Sequence, residues 1–135
     1  MAEQIAKFRF QGFKVLESNF KILSDFSGKP EDYSVDLMPS FEVLDSTHSI
    51  KLTLETKITT ENKLVEIYVK AESIFDFDSD IDGVEKQNYF KKNAPAIMFP
   101  YVRAYISALS ALSGIPVITL PTINLVAKTS NGTEV

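Results

Sequence analysis

The chain has 135 residues, 14 basic against 18 acidic, for a net charge of −4, and it contains no cysteine. That length suits one domain, residues 1–135, and an acidic balance argues against nucleic acid, whose phosphates need clustered Lys and Arg. Lack of cysteine excludes disulfides and thiol catalysis and fits a reducing cytoplasm.

The first hundred residues read as strands. From Phe8 to Ile22 the even positions hold Phe8, Phe10, Leu16, Phe20 and Ile22. Phe13 and Val15 fall on the opposite phase just after Gly12, which predicts a bulge or a strand buried on both faces. A loop, SDFSGKPED, follows. The second strand has Tyr33, Val35, Leu37, Phe41 and Val43 at odd positions. Pro39 interrupts it, so it is an edge strand or is bent there.

The third strand alternates Ile50, Leu52, Leu54 and Ile58 with Lys51, Thr53, Glu55 and Lys57. The fourth sets Val65, Ile67, Val69, Ala71, Phe75 and Phe77 against Glu66, Lys70, Glu72 and Asp76. Short connections predict an antiparallel meander with one buried face. VEKQNYFKK reads as a short helix. Asn93 then suits an N-cap and Pro95 a first helical turn, so the long helix is expected from Ala94 to Ser113. Gly114 suits its end, and Pro116 forbids continuation. The remainder reads as extended, then frayed. The fold class is α+β: a four-stranded antiparallel meander sheet with one long C-terminal helix packed on it.

Catalytic signals are weak. His48 is the single histidine and sits in a polar turn, beside Asp45. No glycine-rich phosphate loop is present, so no nucleotide or other cofactor is expected. Asp78, Asp80, Asp82 and Gly83 open like a calcium loop, but Tyr89 stands where the bidentate Glu belongs, so a solvated acidic loop is expected at 76–83. Residues 94–112 are the most membrane-like stretch. Arg103 and two prolines argue against a span. Asn131-Gly132-Thr133 fits a glycosylation sequon by chance.

The long helix is small-faced. Ala104, Ser107, Ala108 and Ala111 allow close approach of a neighbour, and Arg103 is the only charge between Lys92 and Lys128. One helix on one sheet needs one apolar stripe. A second uncharged face predicts an oligomer interface at Ala104, Ser107, Ala108 and Ala111.

Asn93, Ile97, Met98, Phe99, Pro100, Tyr101 and Arg103, followed by Gly114, Pro116, Leu120, Pro121 and Asn124, resemble the SecB family of protein-export chaperones. Ile74-Phe75 at the end of the fourth strand also matches. The resemblance covers residues 8–126 and is strongest over 93–124. It implies a homotetramer, a dimer of dimers, and an ATP-independent holdase for unfolded preproteins or other non-native polypeptides. Tyr33, Val35, Leu37, Met38, Phe41, Phe75, Ile97, Met98 and Tyr101 become candidate client contacts by the same resemblance. Such contacts need apolar, adaptable side chains.

Family members usually continue into a second helix and an acidic, metal-binding tail that contacts the SecA motor. The stretch up to Val135 has no such helical pattern and no Cys or His. The family's docking positions on the first and fourth strands fall near Glu17, Lys21, Glu66 and Tyr68, which puts coupling to SecA in doubt. A chaperone of a toxin–antitoxin pair is an alternative, and an apolar small-molecule or lipid carrier is another.

Overall fold

The computed structural model describes residues 8–23, 33–44, 48–60, 64–78, 83–115 and 117–120. Four strands, β1 (Phe8–Ile22), β2 (Tyr33–Val43), β3 (Ser49–Thr60) and β4 (Val65–Phe77), precede one helix, α1 (Val84–Leu112). The expected α+β fold is present, and every strand pair is antiparallel. The order across the sheet is β1-β4-β3-β2. Thus β2, β3 and β4 form a meander, and β1 lies beside β4 rather than beside its successor. The expected four-strand meander therefore holds only for β2, β3 and β4, because alternation specifies faces and not neighbours.

β3 and β4 alternate strictly. Ile50, Leu52, Leu54 and Ile58 are buried, as are Val65, Ile67, Val69, Ala71, Phe75 and Phe77. Full burial of the Val, Leu, Ile and Phe side chains among them contributes about 1.5–3 kcal/mol each relative to exposure. Thr60 closes this hairpin: its hydroxyl accepts from the amides of Leu64 and Val65, both at 3.0 Å.

β1 carries two register shifts, between Gln11 and Lys14 and between Val15 and Glu17. Gly12 stands at φ +86°, which favours glycine. The phase therefore flips twice. Phe10 opposes Phe75, Val15 opposes Ala71, and Phe20 opposes Ile67, all on one face. The single expected phase change is the first bulge. The second expels Leu16, which is exposed. On the other edge, Pro39 of β2 pairs with Leu54.

The helix starts earlier than expected. It is one 29-residue element from Val84, with Pro95 and Pro100 inside it. Gly83 is the N-cap, and Asn93 is interior, its side-chain amide donating to the Tyr89 carbonyl at 2.6 Å. Pro95 is buried inside the helix and has no amide proton for the Lys91 carbonyl. The first-turn signal at Asn93-Ala94-Pro95 was therefore misleading.

One buried row steps by four, Phe90, Ala94, Met98, Val102, Ile106 and Ser110, with Pro95 and Phe99 buried beside it. Each step turns the stripe by about 40° on an α-helix, so the buried face winds around α1. Phe90 anchors the helix near its start, against Phe41, Phe75 and Phe77 at centroid distances of 5.6, 5.2 and 5.1 Å. Tyr105 reaches β1, donating to Ser18 Oγ at 2.9 Å. After Ser113, Gly114 takes φ +91° and the chain turns back along the helix. Ile118 and Leu120 of the returning segment are fully buried.

Candidate client-binding surface

From Ala96 onward the exposed face of α1 is apolar and uncharged. Ala104, Ala108 and Ala111 are exposed there, as are Ile97 at 37%, Tyr101 at 47% and Leu112 at 86%. The stripe spans about 22 Å at the rise of an α-helix. Tyr101 extends it onto β1, with ring centroids 4.8 Å from Phe10 and 5.6 Å from Phe13. This aromatic ridge joins helix and sheet into one apolar surface. Phe10 and Phe13 were read only as strand residues. Their role depends on which strand lies beneath Tyr101, and no local pattern reports that.

The nine candidate client residues do not form one group. Leu37, Phe75 and Met98 are buried in the core of the single chain, away from its surface. Tyr33, Val35 and Phe41 are half-buried on the inner face of β2. Ile97 and Tyr101 lie on the exposed helix face. Met38, although exposed, points from the other side of the sheet, where it pairs with Glu55.

Among the expected interface residues, Ala104, Ala108 and Ala111 share the exposed face, but Ser107 turns toward its own chain. Ser107 Oγ donates to the Ile118 carbonyl at 3.0 Å. Ser110 Oγ accepts from the Ile118 amide at 2.8 Å, and Tyr33 Oη donates to the Thr119 carbonyl at 3.0 Å. Arg103 Nε donates to the Leu120 carbonyl. The one charge in this part of the helix thus serves a main-chain oxygen. Burial raises the Tyr33 phenol above its ordinary range, which keeps it a donor.

The outer face of the sheet is a lattice of mixed charge. Lys51 lies 3.2 Å from Glu42 and 3.9 Å from Glu72, and Glu17 pairs across strands with Lys70. Tyr68 donates to Glu55 at 2.8 Å. Its phenol is pushed up to about 12, first by partial burial, then by that hydrogen bond and by the charges of Glu55 and Glu17. Glu17, Lys21, Glu66 and Tyr68 line one depression of about 340 Å³, together with Met38 and Lys57. The positions implied by the family resemblance are therefore neighbours, but they do not form an acidic patch.

His48 is exposed, and its carbonyl accepts from the Phe77 amide. Residues 79–82 of the acidic loop, Pro116, Pro121, Asn124 and the sequon at Asn131 lie outside the described residues. No described helix is long and apolar enough to cross a membrane.

Residues 19–129 match the family described as preprotein translocase subunit SecB. An uncharacterized protein of Methanocaldococcus jannaschii is 37% identical over 70 residues, which cover 51% of this chain and 45% of that protein. The chain thus spans about half the length of that relative. The fold matches a SecB-like chaperone of Mycobacterium tuberculosis, solved in complex with a ChAD peptide from the HigA1 antitoxin. The TM-score is 0.69 at 13% identity, over 86% of this chain and 87% of that one.

Proposed function

The chain belongs to the SecB family, and from that premise we propose that it is an ATP-independent holdase for non-native polypeptides in the cytoplasm. The observation that carries the proposal is the uncharged ridge of Ile97, Tyr101, Phe10 and Phe13. A large exposed apolar surface marks a binding site, and aromatic side chains adapt to many sequences. Ile97 and Tyr101 are the leading client contacts, with Tyr33, Val35 and Phe41 along the inner face of β2. The Ala104, Ala108 and Ala111 face is assigned to contact between copies, in a tetramer built as a dimer of dimers. Light scattering of an aggregating client tests the holdase activity. Suppression at stoichiometric protein supports it, and aggregation at an unchanged rate sinks it.

The export role and an antitoxin-guarding role are separable. SecA docking would need the outer face, where Lys21 and Lys57 sit among Glu17 and Glu66. That mixed charge favours the second role, as does the antitoxin peptide held by the mycobacterial neighbour. Titration of the protein with purified SecA and with an antitoxin segment distinguishes them. A lipid carrier would instead retain extractable lipid in the purified protein.

A further inference from the structure

Residues 117–120 are held by side chains rather than by a ladder. Ser107, Ser110, Tyr33 and Arg103 bond to the Ile118 carbonyl, the Ile118 amide, the Thr119 carbonyl and the Leu120 carbonyl. Among the described residues the segment makes no main-chain to main-chain hydrogen bond. All four contacts read backbone, which every polypeptide carries. The segment's own side chains alternate: Val117 and Thr119 are exposed, while Ile118 and Leu120 are buried. Main-chain bonds combined with pockets for alternate side chains are the way extended peptides are recognised.

We propose that the slot between α1 and Tyr33 accepts an extended client segment, and that residues 117–120 occupy it as a resident strap which the client displaces. This deepens the holdase reading and rests on it. Strap release breaks no bond of the sheet or the helix, so the scaffold survives. Ser110 keeps a partner when the strap leaves, because its hydroxyl also donates to the Ser107 carbonyl at 3.0 Å. Gly114, at φ +91°, is the hinge. The slot also defines a client class. It takes apolar residues two apart, as an unfolded strand segment supplies, rather than three or four apart, as a helical segment does. It needs an amide at the first of these, so proline is rejected there.

The test compares two labelled peptides of equal composition, one with apolar residues at every second position and one at helical spacing. Binding is measured to the full chain and to its Ile118→Ala/Leu120→Ala variant. The strap variant is expected to bind the alternating peptide about tenfold tighter, since its strap competes less well. Equal affinity in the two proteins overturns the strap. Absence of binding to both proteins, at any concentration that suppresses client aggregation, also overturns it while leaving the holdase reading intact. Should the variant fail to fold, hydrogen exchange on the full chain decides. A saturating unfolded client should speed exchange at the Ile118 amide while the α1 core amides stay protected. An Ile118 amide that stays as slow with client as without it overturns the displacement.

Discussion

At the scale of single residues, the consequential groups are polar ones set among apolar neighbours. Tyr68 has a folded-state pKa of about 12, above the usual phenol value. The folded protein therefore holds a proton that the unfolded chain releases from about pH 10. The stability this contributes is complete below that pH and is lost as pH rises through 12. The melting temperature should fall more steeply over that range in the wild type than in Tyr68→Phe. Parallel profiles would assign the loss elsewhere. Thr60 accepts two amides at the β3–β4 turn. Thr60→Val keeps the shape and strands both donors, at a cost of about 1–3 kcal/mol in urea denaturation with an unchanged m-value. The sequence announced neither role. A hydroxyl in a strand reads alike whether it caps a turn or faces water, whereas the alternation around it was plain.

At the scale of elements, β1 and α1 show what periodicity reports and what it misses. The Phe8 and Phe10 phase, then the Phe13 and Val15 phase, points to one bulge or to a strand buried on both faces. The return at Phe20 required a second, and Leu16 hid it by fitting the even pattern while lying outside the pairing. In α1, Pro95 next to Asn93 looked like a beginning. The local signal was sound chemistry, but packing of Phe90 among Phe41, Phe75 and Phe77 carries the helix a further turn and more. Pro100 is exposed, and it cannot supply the amide that would bond the Ala96 carbonyl. Pro100→Ala restores that bond and is expected to raise stability by up to about 3 kcal/mol, read from the unfolding midpoint. An unchanged midpoint would show that the helix has already accommodated the loss.

At the scale of the whole molecule, the sequence showed that α1 has too much apolar surface for one sheet. It placed Ala104, Ala108 and Ala111 on the second face, where they are exposed, and missed that Ser107 turns toward its own chain. Ile97, Tyr101, Ala104, Ala108 and Leu112, which together look like a core stripe, are the outward face. The inward stripe winds by steps of four, so it is less visible to a fixed helical template. If the Ala104, Ala108 and Ala111 part of that face joins copies, Ala108→Glu places a charge in an apolar contact, where an unpaired charge is costly. The variant should sediment as a smaller species than the wild type, with unaltered far-ultraviolet circular dichroism. The same mass for both proteins would remove this face from the interface.

Val15, Ala71, Leu54 and Pro39 lie on one row across the sheet. On one border the row meets the twin bulges of β1, and on the other it meets a residue with no amide to give. The β1 ladder is thereby broken near its middle, leaving Glu17–Ile22 as one short run, whereas β2 pairs with β3 without a shift from Tyr33 to Val43 and lacks an amide only at Pro39. A protein that gathers unfolded chains holds them beside its own strands, where a long, regular border would seed cross-β growth. If the protein acts as a holdase, the bulges of β1 and the missing amide of Pro39, at the same height on the two borders, would keep a held chain from being enrolled as a fifth strand.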